Sequence, residues 1–310
     1  MSFAVICSGQ GAQSPDLFEK FPFTEKGKAL QRRILAAGCL EPEVAEWLET
    51  PSENPDKIYK NHFSQPLLCL FQMMVWSEIS ALQPRLFAGY SLGELSAYGC
   101  AGGLGPEDVI RLAGIRARAM DAAGAGELVA VTGLAVEQVR SLAGACAAFL
   151  AIVLGEEHCV VGCPANRGGE MSEALLAAGA ENAVVLPVSV PSHTPLLDSA
   201  VEPFREALRA VRWQAPISPI LAGINASKVL NQQQMVELLP EQIHRTVRWD
   251  LIEQRLAETE CRVVLELGPG SQLAHALPGK ISQIDARSAG EFRSPEGIVA
   301  WVQRSLLRLG

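Results

Sequence analysis

Apolar positions along the chain fall into short runs that read as buried strands and longer stretches with helical spacing. Phe3 to Cys7 is a strand-like run ending in Ser8-Gly9-Gln10-Gly11-Ala12-Gln13, where two glycines one residue apart free the backbone for a tight turn. Pro66 to Ser80 is apolar nearly all round, which predicts a helix buried inside a larger body. Leu86 to Gly89 predicts a second strand and Leu92 to Cys100 a helix, so Ser91 stands at a strand-to-helix corner. Pro106 and the two acids after it open a helix that continues with apolar spacing to Gly124.

From Glu127 to about Pro187 the elements shorten. Their order becomes strand (ELVAVTGL), helix (VEQVRSLAGACA), strand (FLAIVLG), strand (HCVVGCP), helix (GEMSEALLAAGA), strand (NAVVLPV). This βαββαβ order predicts a ferredoxin-like unit inserted into an α/β body with a parallel-sheet core. The expected domains are 1–123 with 191–310, a discontinuous large unit, and 124–190, a small one. Beyond Pro191-Ser192-His193-Thr194-Pro195, a helix is expected over Leu196 to Val211, with Thr194 as N-cap and Pro195 at its first position. Ile217 to Ile224 and Arg262 to Leu267 read as core strands, and Ile298 to Leu307 as a closing amphipathic helix.

Composition narrows the function. The 310 residues carry a formal charge of −8 with no long run of one sign, so neither nucleic acid nor a membrane surface is an expected partner. The longest stretch free of charged or strongly polar residues, Leu142 to Gly155, is shorter than the roughly 20 residues a spanning helix needs. The first apolar run is too short for a signal peptide, and the protein is expected in the cytoplasm. Eight cysteines are too few for a disulfide scaffold, and Cys159 and Cys163 have no second pair at zinc spacing; reduced, mostly buried thiols and no metal are expected.

Gly89-Tyr90-Ser91-Leu92-Gly93 fits G-x-S-x-G, the turn that lifts a serine hydroxyl above a sheet. The spacing alone is weak, because a serine there can merely cap a helix; the strand before and helix after make it a candidate nucleophile. Such a serine needs a base. Of the five histidines, His193 follows a strand and stands at the carboxyl edge where sites form in open α/β sheets. Arg116 lies on the apolar stripe of Val109, Leu112, Ala113, Ala119 and Met120, whereas Arg111 and Arg118 fall on the other face. A guanidinium there requires an anion, either an internal carboxylate or that of a substrate. Gln10 and Leu92 could offer backbone N–H groups to an oxyanion, although Gly9 and Gly11 could also simply make a turn.

SGQGAQ, GYSLGE, GIRARAM, PVSVPSH and ELGPG together, in this order and spacing, resemble the malonyl-CoA:acyl carrier protein transacylase family over nearly the whole chain. The resemblance implies an α/β-hydrolase-like large domain with a ferredoxin-like small one. It also implies ping-pong transfer of malonyl from coenzyme A to the phosphopantetheine-type thiol of an acyl carrier protein, with no permanently bound cofactor. By motif, Ser91 resembles the nucleophile, His193 its base, Arg116 the grip on the malonyl carboxylate, and Gln10 and Leu92 the oxyanion donors. Gln65, in SQP, resembles a pocket residue, and the backbone of Arg245 the carbonyl that orients the histidine. Tyr90 stands where the family usually has histidine, which bears on the substrate carboxylate. GYS and the ARSAGEFRSPEG stretch are similar to the epsilon subunit of malonate decarboxylase, implying that enzyme's carrier and other subunits as partners. A fatty-acid or polyketide transacylase, a serine thioesterase or esterase, and an inactive assembly subunit are the alternatives.

Overall fold

The computed structural model describes residues 2–309. Strand β1 (Ser2–Cys7) is buried on both faces, as the centre of a parallel sheet must be. It pairs in parallel with β2 (Leu86–Gly89) on one side and β10 (Cys261–Leu267) on the other. Cys7 stands opposite both Gly89 and Leu267, so all three strands end at one edge and release their loops there. The pleat sends Phe3, Val5 and Cys7 into one core and Ala4 and Ile6 into another. The first sheet is completed by β7 (Ile220–Leu221), β8 (Lys228–Val229) and β11 (Asp285–Ser288), in the order β11-β10-β1-β2-β7-β8, parallel except between β7 and β8.

The second sheet comprises β3 (Gly126–Thr132), β4 (Phe149–Gly155), β5 (His158–Pro164), β6 (Asn182–Val185) and β9 (Val247–Arg248), in the order β6-β3-β5-β4-β9. Its first four strands pair antiparallel and are joined through helices Val136–Ala145 and Gly168–Ala177. The two-residue β9, from far along the chain, adds in parallel to β4. Ala4, Ile6 and Ala88 of the first sheet share a core with Leu128, Ile152 and Val160 of the second. The molecule is thus a mixed α/β fold with two sheets.

On the opposite face of the first sheet lies the helix Asn61–Ile79, which starts a turn and a half before the apolar run. Leu67, Leu68, Leu70 and Phe71 on it are sealed from solvent, each worth about 1.5–3 kcal/mol of apolar burial. Two expectations fail locally. The run Ile217 to Ile224 forms only the two-residue β7, because Pro216 and Pro219 lack N–H donors for a ladder, and Ile217 is exposed. Thr194 is no cap: its hydroxyl donates back to the Pro191 carbonyl at 2.7 Å, and the chain makes one tight turn at Pro195–Leu197 before the helix Asp198–Ala210. Among the described residues all eight cysteines are free, no helix is long and apolar enough to cross a membrane, and no group of metal-ligating side chains gathers.

Candidate active site

Three glycines let the loops at the shared strand edge close on one another. A Cβ on Gly93 would lie 2.1 Å from the Cys7 carbonyl oxygen, and one on Gly89 would overlap the backbone of Gly93 and Glu94. Only glycine at both positions lets the helix Gly93–Cys100 start directly above the ends of β1 and β2. Ser91, at the corner, has φ 54°, a left-handed conformation uncommon outside glycine and characteristic of strained functional turns. A Cβ on Gly9 would meet the Tyr90 carbonyl oxygen at 2.8 Å, so the loop after β1 also runs hard against the corner. Gln72, from the long buried helix, fixes that loop by donating to the carbonyls of Ser8 (2.7 Å) and Leu267 (3.0 Å).

His193, 1% exposed and also at positive φ (67°), reaches this corner from the other side. Its Nε2 lies 2.7 Å from Ser91 Oγ, and its Nδ1 lies 2.5 Å from the carbonyl oxygen of Gln242. With Nδ1–H donating to that carbonyl, Nε2 carries the lone pair facing the serine. Burial, followed by the charge of Arg116, pushes the imidazole down to about 3, while the Gln242 carbonyl opposes them. The ring is therefore neutral at physiological pH and able to accept a proton.

The orienting carbonyl is a correction to the expectation at Arg245. The tight turn Pro240–Ile243 leaves its last carbonyls without partners inside the turn, and His193 takes two of them: Gln242 through the ring and Ile243 through its own N–H at 2.8 Å. Arg245 lies beyond the turn, its N–H bonded to Glu241 and its side chain in the wall of a cleft.

Arg116 is 1% exposed, and its partners are amide oxygens rather than a carboxylate: Gln65 Oε1 at 2.9 Å and Gln242 Oε1 at 3.2 Å. Burial lowers its pKa to about 10, and nearby Cys69 and Glu94 offset part of that, so it stays cationic. Arg111 pairs with Asp108, and Arg118 with Glu41 and Glu43, on the outer face as expected. Gln10 donates from Nε2 to Ser64 at 2.5 Å, and the backbone N–H groups of Gln10 and Leu92 have no acceptor among the described residues. Tyr90 borders the same corner. Its ring packs edge-on against Trp249, 5.4 Å between centroids, in the core shared by the two sheets, and makes no hydrogen bond to Arg116.

The structure thus brings together Ser91, His193, Arg116, Gln65, Gln10 and Leu92. Two residues at the centre carry no sequence signal of their own. Gln242 links four of the groups, donating from Nε2 to the Ser91 carbonyl (3.0 Å) and to Glu94 Oε2 (2.5 Å) besides its contacts to Arg116 and His193. Glu94 stands inside GYSLGE and is fully buried. A cleft of about 510 Å³ leads outward from His193 past Phe149 and Leu150, with Arg140, Arg245 and Arg248 on its walls.

Over residues 40–296 the chain matches the acyl transferase domain family. It is 28% identical to the malonyl CoA-acyl carrier protein transacylase of Escherichia coli K12, over 96% of this chain and 98% of that one. The crystal structure of a malonyl-CoA:acyl carrier protein transacylase from Xanthomonas oryzae pv. oryzae, 27% identical, superposes with TM-score 0.83 over 98% of both chains. A malonyl-transacylase solved in complex with its type II polyketide acyl carrier protein, 23% identical, shares the fold at TM-score 0.86, over 98% of this chain and all of that one. With the match spanning most of its length, this chain belongs to the acyl transferase domain family.

Proposed function

We propose that the enzyme is a malonyl-CoA:acyl carrier protein S-malonyltransferase working through a serine ester. His193 Nε2 takes the Ser91 proton as Oγ attacks the thioester carbonyl, and the N–H groups of Gln10 and Leu92 receive the oxyanion. Collapse expels the coenzyme A sulfur, which takes the proton from the imidazolium. The thiol of the carrier's phosphopantetheine-type arm then attacks the ester, giving its proton to His193, and Ser91 Oγ leaves with that proton. The Gln242 carbonyl steadies the imidazolium in both halves without itself ionising. The observation that carries the reading is a buried cation held only by neutral oxygens beside a serine–imidazole pair. Such a guanidinium keeps its charge for an incoming carboxylate and so favours a dicarboxylic acyl group over a neutral one.

The carrier is the acyl carrier subunit of malonate decarboxylase, a reading supported by GYS and the ARSAGEFRSPEG stretch. Residues 1–123 with 191–310 act as an α/β-hydrolase-like catalytic domain, residues 124–190 as a ferredoxin-like one, and the enzyme works in the cytoplasm. Incubation with labelled malonyl-CoA should leave one malonyl per chain on Ser91, none on Ser91→Ala, and the label should pass to carrier rather than appear as free malonate. An unlabelled wild type would defeat the proposal, and label lost only as malonate would mark a hydrolase. Transfer to the fatty-acid carrier faster than to the malonate decarboxylase carrier would reassign the partner.

A further inference from the structure

A guanidinium has only N–H groups to offer, so the amides around Arg116 must turn their oxygens toward it, and something behind each amide has to enforce that choice. Behind Gln65 stands Asn61: Gln65 Nε2 donates to Asn61 Oδ1 at 2.6 Å, and Asn61 Nδ2 donates onward to Asp121 (3.0 Å) and the Ala117 carbonyl (3.3 Å). Asp121 is partly exposed and also faces His62, so water can replace it. Behind Gln242 stand the Ser91 carbonyl and Glu94, and there Glu94 is sealed from solvent. Its Oε2 accepts from both Gln242 Nε2 (2.5 Å) and the Gly223 N–H (3.0 Å), while Oε1 makes no well-formed hydrogen bond among the described residues and the buried Tyr98 hydroxyl faces the same carboxyl. Burial pushes the carboxyl up to about 8. A proton taken up there belongs on Oε1, which leaves Oε2 an acceptor in either state.

We infer that Glu94 is a positioning residue for acyl selection: it locks the Gln242 amide with its oxygen toward Arg116, and thereby keeps the guanidinium aimed at the carboxylate of a dicarboxylic acyl group. Without that acceptor only the Ser91 carbonyl, at 3.0 Å, still opposes a turn of the NH2 toward Arg116 that would set donor against donor. The inference rests on the reading that Arg116 receives the malonyl carboxylate.

The test compares acylation by malonyl-CoA and acetyl-CoA in full-length variants. Glu94→Met keeps the length but removes the acceptor; the malonyl-to-acetyl ratio of kcat/KM should fall tenfold or more, mainly through the malonyl KM. Glu94→Gln still offers an oxygen to Gly223 and Gln242 and should keep the ratio within threefold. Glu94→Asp draws the acceptor back by one methylene and should lose at least threefold; it decides the matter if the Met variant does not fold. Adding Glu94→Met to Gln242→Leu should change the ratio less than twofold beyond the Gln242 variant alone. Equal losses on both acyl groups, an unchanged ratio in the Asp variant, or additive losses in the double variant would each overturn the role of Glu94. A wild type with no preference for malonyl would instead defeat the reading of Arg116 beneath it.

Discussion

Replacing Arg116 by alanine tests the proposal that this group distinguishes a charged acyl chain from a neutral one. Of the five guanidinium N–H donors, one goes to Gln65 and one to Gln242, which leaves three for substrate. A carboxylate held by two of them loses two charge-assisted bonds in Arg116→Ala, about 1.5–3 kcal/mol each, less what water entering the vacated space restores. A net loss of about 3–4 kcal/mol corresponds to 10²–10³-fold in malonyl kcat/KM. Acetyl transfer uses neither bond and should fall less than tenfold. The orphaned Oε1 atoms of Gln65 and Gln242 cost stability unless water reaches them, at about 1–3 kcal/mol apiece, so melting curves must accompany the kinetics. Single-turnover acylation measured with both thioesters gives the two numbers directly. Parallel losses of malonyl and acetyl transfer in a folded variant would refute the reasoning and return Arg116 to a packing role.

Four further outcomes follow from the same geometry. Gly9→Ala brings a methyl to 2.8 Å from the Tyr90 carbonyl and must displace the loop carrying the Gln10 N–H, so kcat should fall about 10–100-fold with little change in melting; a wild-type kcat would remove Gln10 from the oxyanion site. Gly93→Ala sets its methyl 2.1 Å from the Cys7 carbonyl, backbone against backbone, and should lower the melting temperature by at least about 6 °C or abolish soluble expression; an unaltered melt would contradict the packing. Because His193 is held down at about 3, kcat/KM should show no acid limb near the usual histidine value of 6.5. By the same shift the unfolded chain binds the proton more readily than the folded one, so stability should decline as pH falls from about 6.5 toward 3. His193→Gln should flatten that decline, and an unchanged slope would assign it to other groups.

The fold was legible wherever pattern and context agreed. Phe3–Cys7 and Leu86–Gly89 read as strands because both faces are buried, and the order of short elements from Glu127 onward matches the strand pairing found. Ser91, His193 and Arg116 were legible because each breaks a local rule: a serine between glycines, a histidine past a strand end, a cation on an apolar stripe. Gln242 breaks none. It sits in a tight turn with no periodicity, three residues before the position that motif similarity suggested, and matters through a main-chain carbonyl that carries no side-chain identity. Where the Tyr90 ring goes is decided by Trp249, nearly 160 residues away in sequence, and no local pattern carries that pairing. The prolines around Ile217 were visible, but their loss of ladder donors was outweighed by the apolar run.

Strand β9 gives the stretch from Gln242 to Trp249 an unusual mechanical position. Within eight residues the backbone grips the imidazole, Thr246 Oγ1 donates to the Leu150 carbonyl at 2.7 Å, and Val247 and Arg248 zip onto β4. The second sheet is therefore tied directly to the serine–imidazole corner. Any graft, deletion or swap that lets that sheet swing will tug on the imidazole itself, so chimaeras between homologues should exchange this eight-residue staple together with strands β3 to β6 or leave both untouched.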